Sequence, residues 1–394
     1  MSSQVDAVSA QGFVADGFEK IRTTFQEIIS EAPSSGAALS IWHKGKNIVN
    51  LWGGVADKET NKPWTEETTV VVFSCTKGLM SLALAQLFQS GKIKYDDLVT
   101  KFWPEFAGSG KDQTTIADLV SHRAGVPFFK DDLEFEQVIN WDFMVTKIEQ
   151  EPALWKSGTE YAYHAITHGW LTGELIRRVS GMSPGQYLSK EISSPLEAGT
   201  WLGLLPTDES KVAVSYVSEG LSSFFVDLKE KNTAPGNFLI RSLTLGNAFP
   251  MNLVGKNQGF NTHAAHQAEI PGAGGIATAH GISKIWSSVV HETDGIRLLT
   301  DETVEYVTRV QSEGKPFTDL EPPYGKFGMG FQLDSPARGY LTQSSFGHDG
   351  AGGQCAFADP ENKIGFAFVT SEMRGGVVED DRATRLIGDL RSIL

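Results

Sequence analysis

The sequence predicts an α/β plus α architecture, with one sheet domain completed by both termini and a mainly helical domain inserted between them. Three observations predict it. Strand-like runs bounded by turn residues lie near both ends of the chain. The stretch from about 75 to 230 is mainly helical in pattern, and no internal repeat, low-complexity tract or linker-like charge run divides the chain. At roughly 150 residues per domain, the 394 residues suggest two or three domains.

Each element has a local reason. Residues 16–31 place Phe18, Ile21, Phe25, Ile28 and Ile29 at helical spacing, which predicts an amphipathic opening helix ended by Pro33 and Ser34-Ser35-Gly36. Residues 37–42 and 48–52, joined through Lys44-Gly45-Lys46, read as a β-hairpin that Gly53-Gly54 closes. Residues 55–73 are loop-like and polar until the apolar run 70–73, and Ser74 then opens a long apolar helix. Gly91, Pro104, Gly125, Gly158, Gly181 and Pro195 punctuate the helical middle, where residues 165–179 form the clearest helix. The segment 230–275, rich in Gly, Asn and Pro, reads as irregular, either a substrate-facing loop region or a surface excursion. Strand character returns at 328–333, 340–347, 353–358 and 364–370, before a final helix at about 378–393.

Charge and composition narrow the function. Lys+Arg is 34 and Asp+Glu is 48, giving a net charge of −14, which argues against a nucleic-acid or anionic-membrane partner because both need a basic face. A hydrophobic fraction of 40% supports a large packed core and rules out disorder as the dominant state. No apolar stretch reaches the roughly 18 residues of a membrane span. The first twenty residues have no basic region followed by an apolar run, so no secretory signal is expected. Cys75 and Cys355 cannot make a disulfide scaffold, and a reducing cytosol is the expected compartment.

Three segments could carry chemistry. In Ser74-Cys75-Thr76-Lys77, positions i and i+3 share a helix face, so the hydroxyl and the amine lie side by side. A serine needs a neighbouring base, and a lysine can serve once burial lowers its pKa from about 10.4 toward neutrality. The same spacing recurs at Ser312–Lys315, but there it lies in a Gly/Pro-rich stretch without helical pattern. After Ser74 the helix is apolar nearly all round, which marks it as buried between layers. A lysine on such a helix is unusual without a job or an ion-pair partner. The second segment, residues 158–165, sets Tyr161 and Tyr163 just before a helix, where a phenol can assist a Ser–Lys pair or simply pack. The third, residues 346–353, carries His348 and Asp349 among glycines that allow close approach to backbone N–H groups.

Taken together, these segments resemble the serine β-lactamase/penicillin-binding-protein superfamily, and most closely its family VIII carboxylesterases. Ser74–Lys77 matches the S-x-x-K tetrad, and residues 116–127 (IADLVSHRAGVP) look like the family's LL-S/T-H-x-S/A-G segment. Tyr163 matches the tyrosine of Y-x-N, and residues 274–279 (GGIATA) resemble the stretch that re-enters the sheet domain. His348-Asp349-Gly350 falls where lactamases have K-T-G and related esterases and peptidases have H-x-G or W-G-G. The resemblance implies a class C lactamase-like fold: an antiparallel sheet flanked by helices from residues 1–80 and 275–394, a helical domain at 81–274, and the active site at their junction. It implies a serine carboxylesterase cleaving short-chain or aryl esters through an acyl-enzyme on Ser74, with Lys77 and Tyr163 taking its proton. The backbone N–H groups of Ser74 and Ala351 would form the oxyanion hole, and His348 and Gly350 would touch the substrate. A small-molecule ester is the expected partner, with no cofactor, metal, nucleic acid or membrane.

Two departures favour esters over lactams. Ala165 replaces the Asn of Y-x-N, removing an amide for an amide-bearing substrate, and His348 replaces a fixed cation for a lactam carboxylate. An acyltransferase, a D-amino-acid peptidase or a β-lactamase would use the same three residues, whereas a non-catalytic scaffold would not need them intact. Residues 181–185 also fit the G-x-S-x-G nucleophile elbow, but a helix rather than a strand precedes Ser183. His164/His168 and His263/His266/Glu269 have metal-like spacing without a recognisable zinc motif. Cys75 reads as a buried apolar filler.

Overall fold

The computed structural model describes residues 8–231, 234–318, 320–375 and 380–394. Both ends of the chain build one antiparallel nine-stranded sheet. Its strands run in the spatial order Gln11–Val14, Lys46–Asp57, Gly36–His43, Ile364–Thr370, Gln354–Asp359, Phe346–Gly350, Gln332–Leu333 and Lys326–Phe327, with Lys62–Pro63 paired to Lys46–Asp57.

Side chains alternate across a strand, so the register sorts residues onto two faces. The outer face carries Leu39, Ile41, Leu51, Phe357, Phe366 and Phe368, packed beneath the helices Glu19–Glu31 and Arg382–Ile393. The inner face is made of small residues, among them Ala38, Ser40, Ala356, Ala358 and Ala367, and the helix Ala279–Val290 lies close against it. That closeness is steric. A Cβ on Gly365 would stand 2.3 Å from the Ser283 carbonyl oxygen. Beside it on the inner face runs the helix Cys75–Gln89, whose residues Cys75 to Ala85 are all buried. Its apolar circumference has layers on both sides, as its composition requires.

The structure adjusts several expectations. The opening helix starts at Glu19, and Gly53 and Gly54 pair with Ala37 and Gly36 inside a longer strand rather than closing the hairpin. Segment 230–275 holds real helix: Ala234–Thr244, preceded by Glu219–Lys231, and the short His263–Gln267. Pro235 and Gly236, part of the Gly- and Pro-rich composition that reads as irregular, occupy the first turn of Ala234–Thr244, where a proline's missing N–H is tolerated. Residues 340–345 are not strand, because Thr342 and Ser345 spend their hydroxyls on the Asp359 carboxylate in a turn. The last helix begins at Arg382, and residues 378 and 379 of its expected span lie outside the described residues. Among the described residues, no helix is long and apolar enough to cross a membrane.

Candidate active site

A sharp turn aims Ser74. The strand Val70–Val71 pairs with Ile276–Ala277, and the chain then enters the helix Cys75–Gln89 through Phe73 at φ 44°. A non-glycine residue there costs of order 1–3 kcal/mol and persists only when its surroundings hold it. They do: Phe73 is fully buried, its ring 5.6 Å edge-on from Phe260, and the Val72 N–H donates to the Gly275 carbonyl at 2.8 Å. Cys75, Thr76 and Lys77 donate their N–H groups to Val72, Phe73 and Ser74, while the Ser74 hydroxyl makes no capping bond. It is left partly exposed and facing Lys77.

Lys77 has no exposed surface, and its Nζ lies 2.8 Å from Ser74 Oγ. The same nitrogen donates to the Gly272 carbonyl at 2.7 Å and sits 5.0 Å from the centre of the Tyr163 ring. Gly272 reaches it because the chain passes the helix Thr167–Ser180 at Gly169, where an added Cβ would stand 1.9 Å from the Gly272 nitrogen. No carboxylate forms an ion pair with the amine among the described residues. Burial therefore lowers its pKa to about 7.

Tyr163 stacks near Phe327 at 5.9 Å and packs against His122 at 4.8 Å and His348 at 6.0 Å. Burial pushes its phenol well above the ordinary tyrosine value, against a hydrogen bond with Ser74 that pulls it down. Around it lie four buried histidines. His164 takes the Val126 N–H on Nε2 at 3.0 Å and donates Nδ1–H to the Ala162 carbonyl at 2.6 Å. His122 accepts the His164 backbone N–H on Nδ1, and His168 donates Nε2–H to Val120. These partners assign neutral tautomers. Burial agrees with them, pushing His164 to about 4 and His122 and His168 well below the usual value.

His348 stands opposite Ala356 on the inner face of the sheet, with Nδ1 held by the Asp349 carbonyl at 2.7 Å. Burial first, then the neighbouring Lys77, drives its pKa down to about 3, so the ring is uncharged. Asp349 points to the other face, where Arg338 Nε lies 2.7 Å from its carboxylate and Tyr340 donates to it at 3.3 Å. Burial raises the Asp349 pKa against the pull of that guanidinium. The strand's end meets the turn that carries Ser74 directly. A Cβ on Gly350 would stand 2.2 Å from the Val72 carbonyl oxygen, which sets Gly350 and Ala351 beside Ser74. Neither the Ser74 nor the Ala351 N–H donates to another described residue.

The rival motifs find structural employment. Ser183 caps the short helix Pro184–Tyr187, accepting the Gln186 N–H at 3.2 Å and donating to Glu269 at 2.6 Å. The preceding helix ends on Gly181 at φ 74°, a C-cap rather than an elbow. Ser312 is buried and donates to the Ser121 carbonyl at 2.7 Å. His266 sits 2.7 Å from Glu209, and no His/Cys/Asp/Glu group suited to a metal occurs among the described residues. Sequence reasoning missed the Gly272 carbonyl, supplied from a distant segment, and the Arg338 that pairs with nearby Asp349. It also read His164 and His168 only as metal-like spacing, although their placement at the start of an apolar helix hinted at burial.

The sequence pattern of the beta-lactamase family matches residues 21–389, and the chain belongs to that family. It is a serine hydrolase whose fold is that of family VIII carboxylesterases and penicillin-binding-protein homologues. The esterase/beta-lactamase LipL of Mycobacterium tuberculosis is 29% identical over 357 residues, covering 88% of this chain and 80% of LipL. The crystal structure of a family VIII carboxylesterase superposes with a TM-score of 0.87 at 27% identity, over 98% of this chain and 100% of that one. EstA from Arthrobacter nitroguajacolicus Rue61a gives 0.85 at 28% identity, over 98% of each chain.

Proposed function

We propose that this protein is a carboxylesterase acting on small neutral esters through an acyl-enzyme on Ser74. The observation that carries this reading is the 2.8 Å contact between Ser74 Oγ and a fully buried Lys77 whose amine titrates near 7. Burial moves the two neighbours of Ser74 in opposite directions. It empties Lys77 of its proton near neutrality and keeps Tyr163 protonated, so the amine is the base and the phenol is the acid. Ser74 Oγ bonds to the ester carbonyl carbon as its proton passes to Lys77. The N–H groups of Ser74 and Ala351 stabilise the oxyanion, a contribution of about 3–4 kcal/mol for one such donor in related chemistry. The alcohol C–O bond then breaks as the leaving oxygen takes a proton from Tyr163. Lys77 returns its proton to Tyr163. Water then attacks the acyl carbon as Lys77 accepts its proton, and the bond from the acyl carbon to Ser74 Oγ breaks as the pair hands that proton to Oγ, releasing the acid.

His348 and Gly350 line the carbonyl side of this reaction. An uncharged His348 gives a lactam carboxylate no fixed partner, and Ala165 spends its N–H on Ser242 Oγ at 3.1 Å and has no side-chain amide to offer. Both features support esters over β-lactams. The test is a fluorophosphonate label followed by peptide mapping, with kcat/KM for p-nitrophenyl acetate and nitrocefin on one preparation. Label on Ser74, its loss in Ser74→Ala but not in Ser183→Ala or Ser312→Ala, and a clear preference for the acetate are expected. Label on Ser183, or a preference for nitrocefin, would overturn the reading.

A further inference from the structure

Beside Tyr163 lies a cavity of about 250 Å³ walled by Tyr161, Tyr163, Phe238, Leu320, Tyr324 and Phe327. Five of those six side chains are aromatic rings, drawn from three separate segments. Among the described residues its one charged lining group is a carboxylate, Glu321. Such a space suits a flat, uncharged group. An apolar cavity of roughly 150 Å³ already holds benzene, so this one has room for a substituted phenyl ring.

The position of the cavity says which half of an ester enters it. A leaving oxygen must lie within reach of the group that protonates it, and Tyr163, whose ring centre stands 5.0 Å from the Lys77 amine that contacts Ser74, forms a wall of the cavity. Whatever is attached to that oxygen continues along the Tyr163 ring, away from Ser74. We infer that this cavity is the alcohol subsite, and that the preferred substrates are esters of arylalkyl or phenolic alcohols carrying no negative charge. The inference rests on the esterase reading and adds the identity of the alcohol to it. An apolar ring that leaves water for this pocket in the transition state gains enough to raise kcat/KM at least about 10-fold. A carboxylate on the ring would meet the like charge of Glu321.

The experiment varies the alcohol at constant acyl group. Benzyl acetate and ethyl acetate have leaving alcohols of similar acidity, so their ratio reports recognition rather than reactivity. The expected result is a benzyl-to-ethyl ratio of at least about 10 in kcat/KM, with 4-carboxybenzyl acetate falling back to the ethyl level. Benzyl alcohol should inhibit the wild type competitively. Leu320→Trp, which fills the half-exposed mouth, and Tyr324→Ala, which removes a wall, should each bring the ratio toward one and weaken benzyl alcohol about 10-fold, with melting curves confirming that they fold. Equal rates for the two acetates in an enzyme that turns over p-nitrophenyl acetate would overturn this inference alone. So would variants that instead lower the ratio of ethyl phenylacetate to ethyl acetate, because the cavity would then hold the acyl group. A wild type that labels at Ser74 but cleaves no ester would overturn the parent reading itself.

Discussion

The two faces of the sheet use burial for opposite ends. On the outer face, Leu39, Phe357, Phe366 and Leu386 form an apolar layer; its buried charges are paired, Arg338 with Asp349, and others stay at the rim in pairs such as Arg385 with Glu27 and Glu31. On the inner face, burial falls on groups that titrate: Lys77, Tyr163, His122, His164, His168 and His348. The first arrangement gains stability from desolvation. The second gives some of it up, because each buried base must stay neutral, and neutrality is what turns an amine beside a serine into a base. The difference can be broken or sharpened by measurement.

The largest effect expected is on acid stability. Unfolded histidines take up protons below their ordinary value of 6.5, whereas His348 and His164 in the fold wait until about 3 and 4, and His122 and His168 are held far down as well. Between about pH 6.5 and 4 the unfolded chain therefore binds more protons, and stability falls as pH falls. Four such groups give at most about 5 kcal/mol per pH unit. Lys77 adds a slope of the same sign in another window: its folded value is about 7 against 10.5 unfolded, so stability rises from pH 7 to 10 and Lys77→Met removes that rise. Urea melts at pH 7.0 and 5.5 check the first window. A flat midpoint would mean that the histidines are not held neutral.

Next comes a pair of substitutions, one on each face. Leu386→Ala, fully buried under the sheet, should cost about 2–5 kcal/mol of stability and leave kcat near wild type. Tyr163→Phe should do the reverse, holding the melting temperature while kcat falls at least about 10²-fold. Loss of kcat in the first, or near-wild-type turnover in the second, would erase the division of labour between the faces. In the wild type, kcat/KM for p-nitrophenyl acetate should rise with pH through a midpoint near 7, following the neutral form of Lys77.

What could be read from the sequence was local. The all-round apolar run after Ser74 specified a buried helix, and the i, i+3 spacing specified that Lys77 would meet Ser74, because a helix turn fixes both. The β-like composition of 364–370 after a turn-like separator likewise marked a strand. Residues that reach the site from far along the chain left no such trace. Gly272 lies 195 positions from Lys77. Arg338, although close in sequence to Asp349, sits in a turn of no recognisable pattern. The helix Ala234–Thr244, which supplies Phe238 to the cavity, was hidden by Pro235 and Gly236. Their usual meaning as breakers does not apply in a first turn.

The smallest effect expected belongs to the rim of the outer face. Arg385 reaches Glu27 at 2.8 Å and Glu31 at 2.6 Å, and Arg374 lies 3.4 Å from Glu31, joining the first and last helices of the sheet layer through charges. The Glu31 carboxyl is held below its usual value: partial burial raises it, and the hydrogen bond and charge of Arg385, then those of Arg374, overcome that. The sign is that of a paired acid, whose contribution is present above about pH 4.5 and lost as pH falls through the lowered value. Yet Glu31 is 40% exposed, and water and salt screen an ion pair at that depth. A double-mutant cycle on Arg385→Ala and Glu31→Ala should therefore give a coupling of only about 0.2–1 kcal/mol, shrinking further in 1 M NaCl. Turnover should not change, since the pair lies across the sheet from Ser74. A coupling above about 2 kcal/mol that survives salt would mean that the terminal helices are clamped by charge, and the outer face would then depend on electrostatics as much as the inner one.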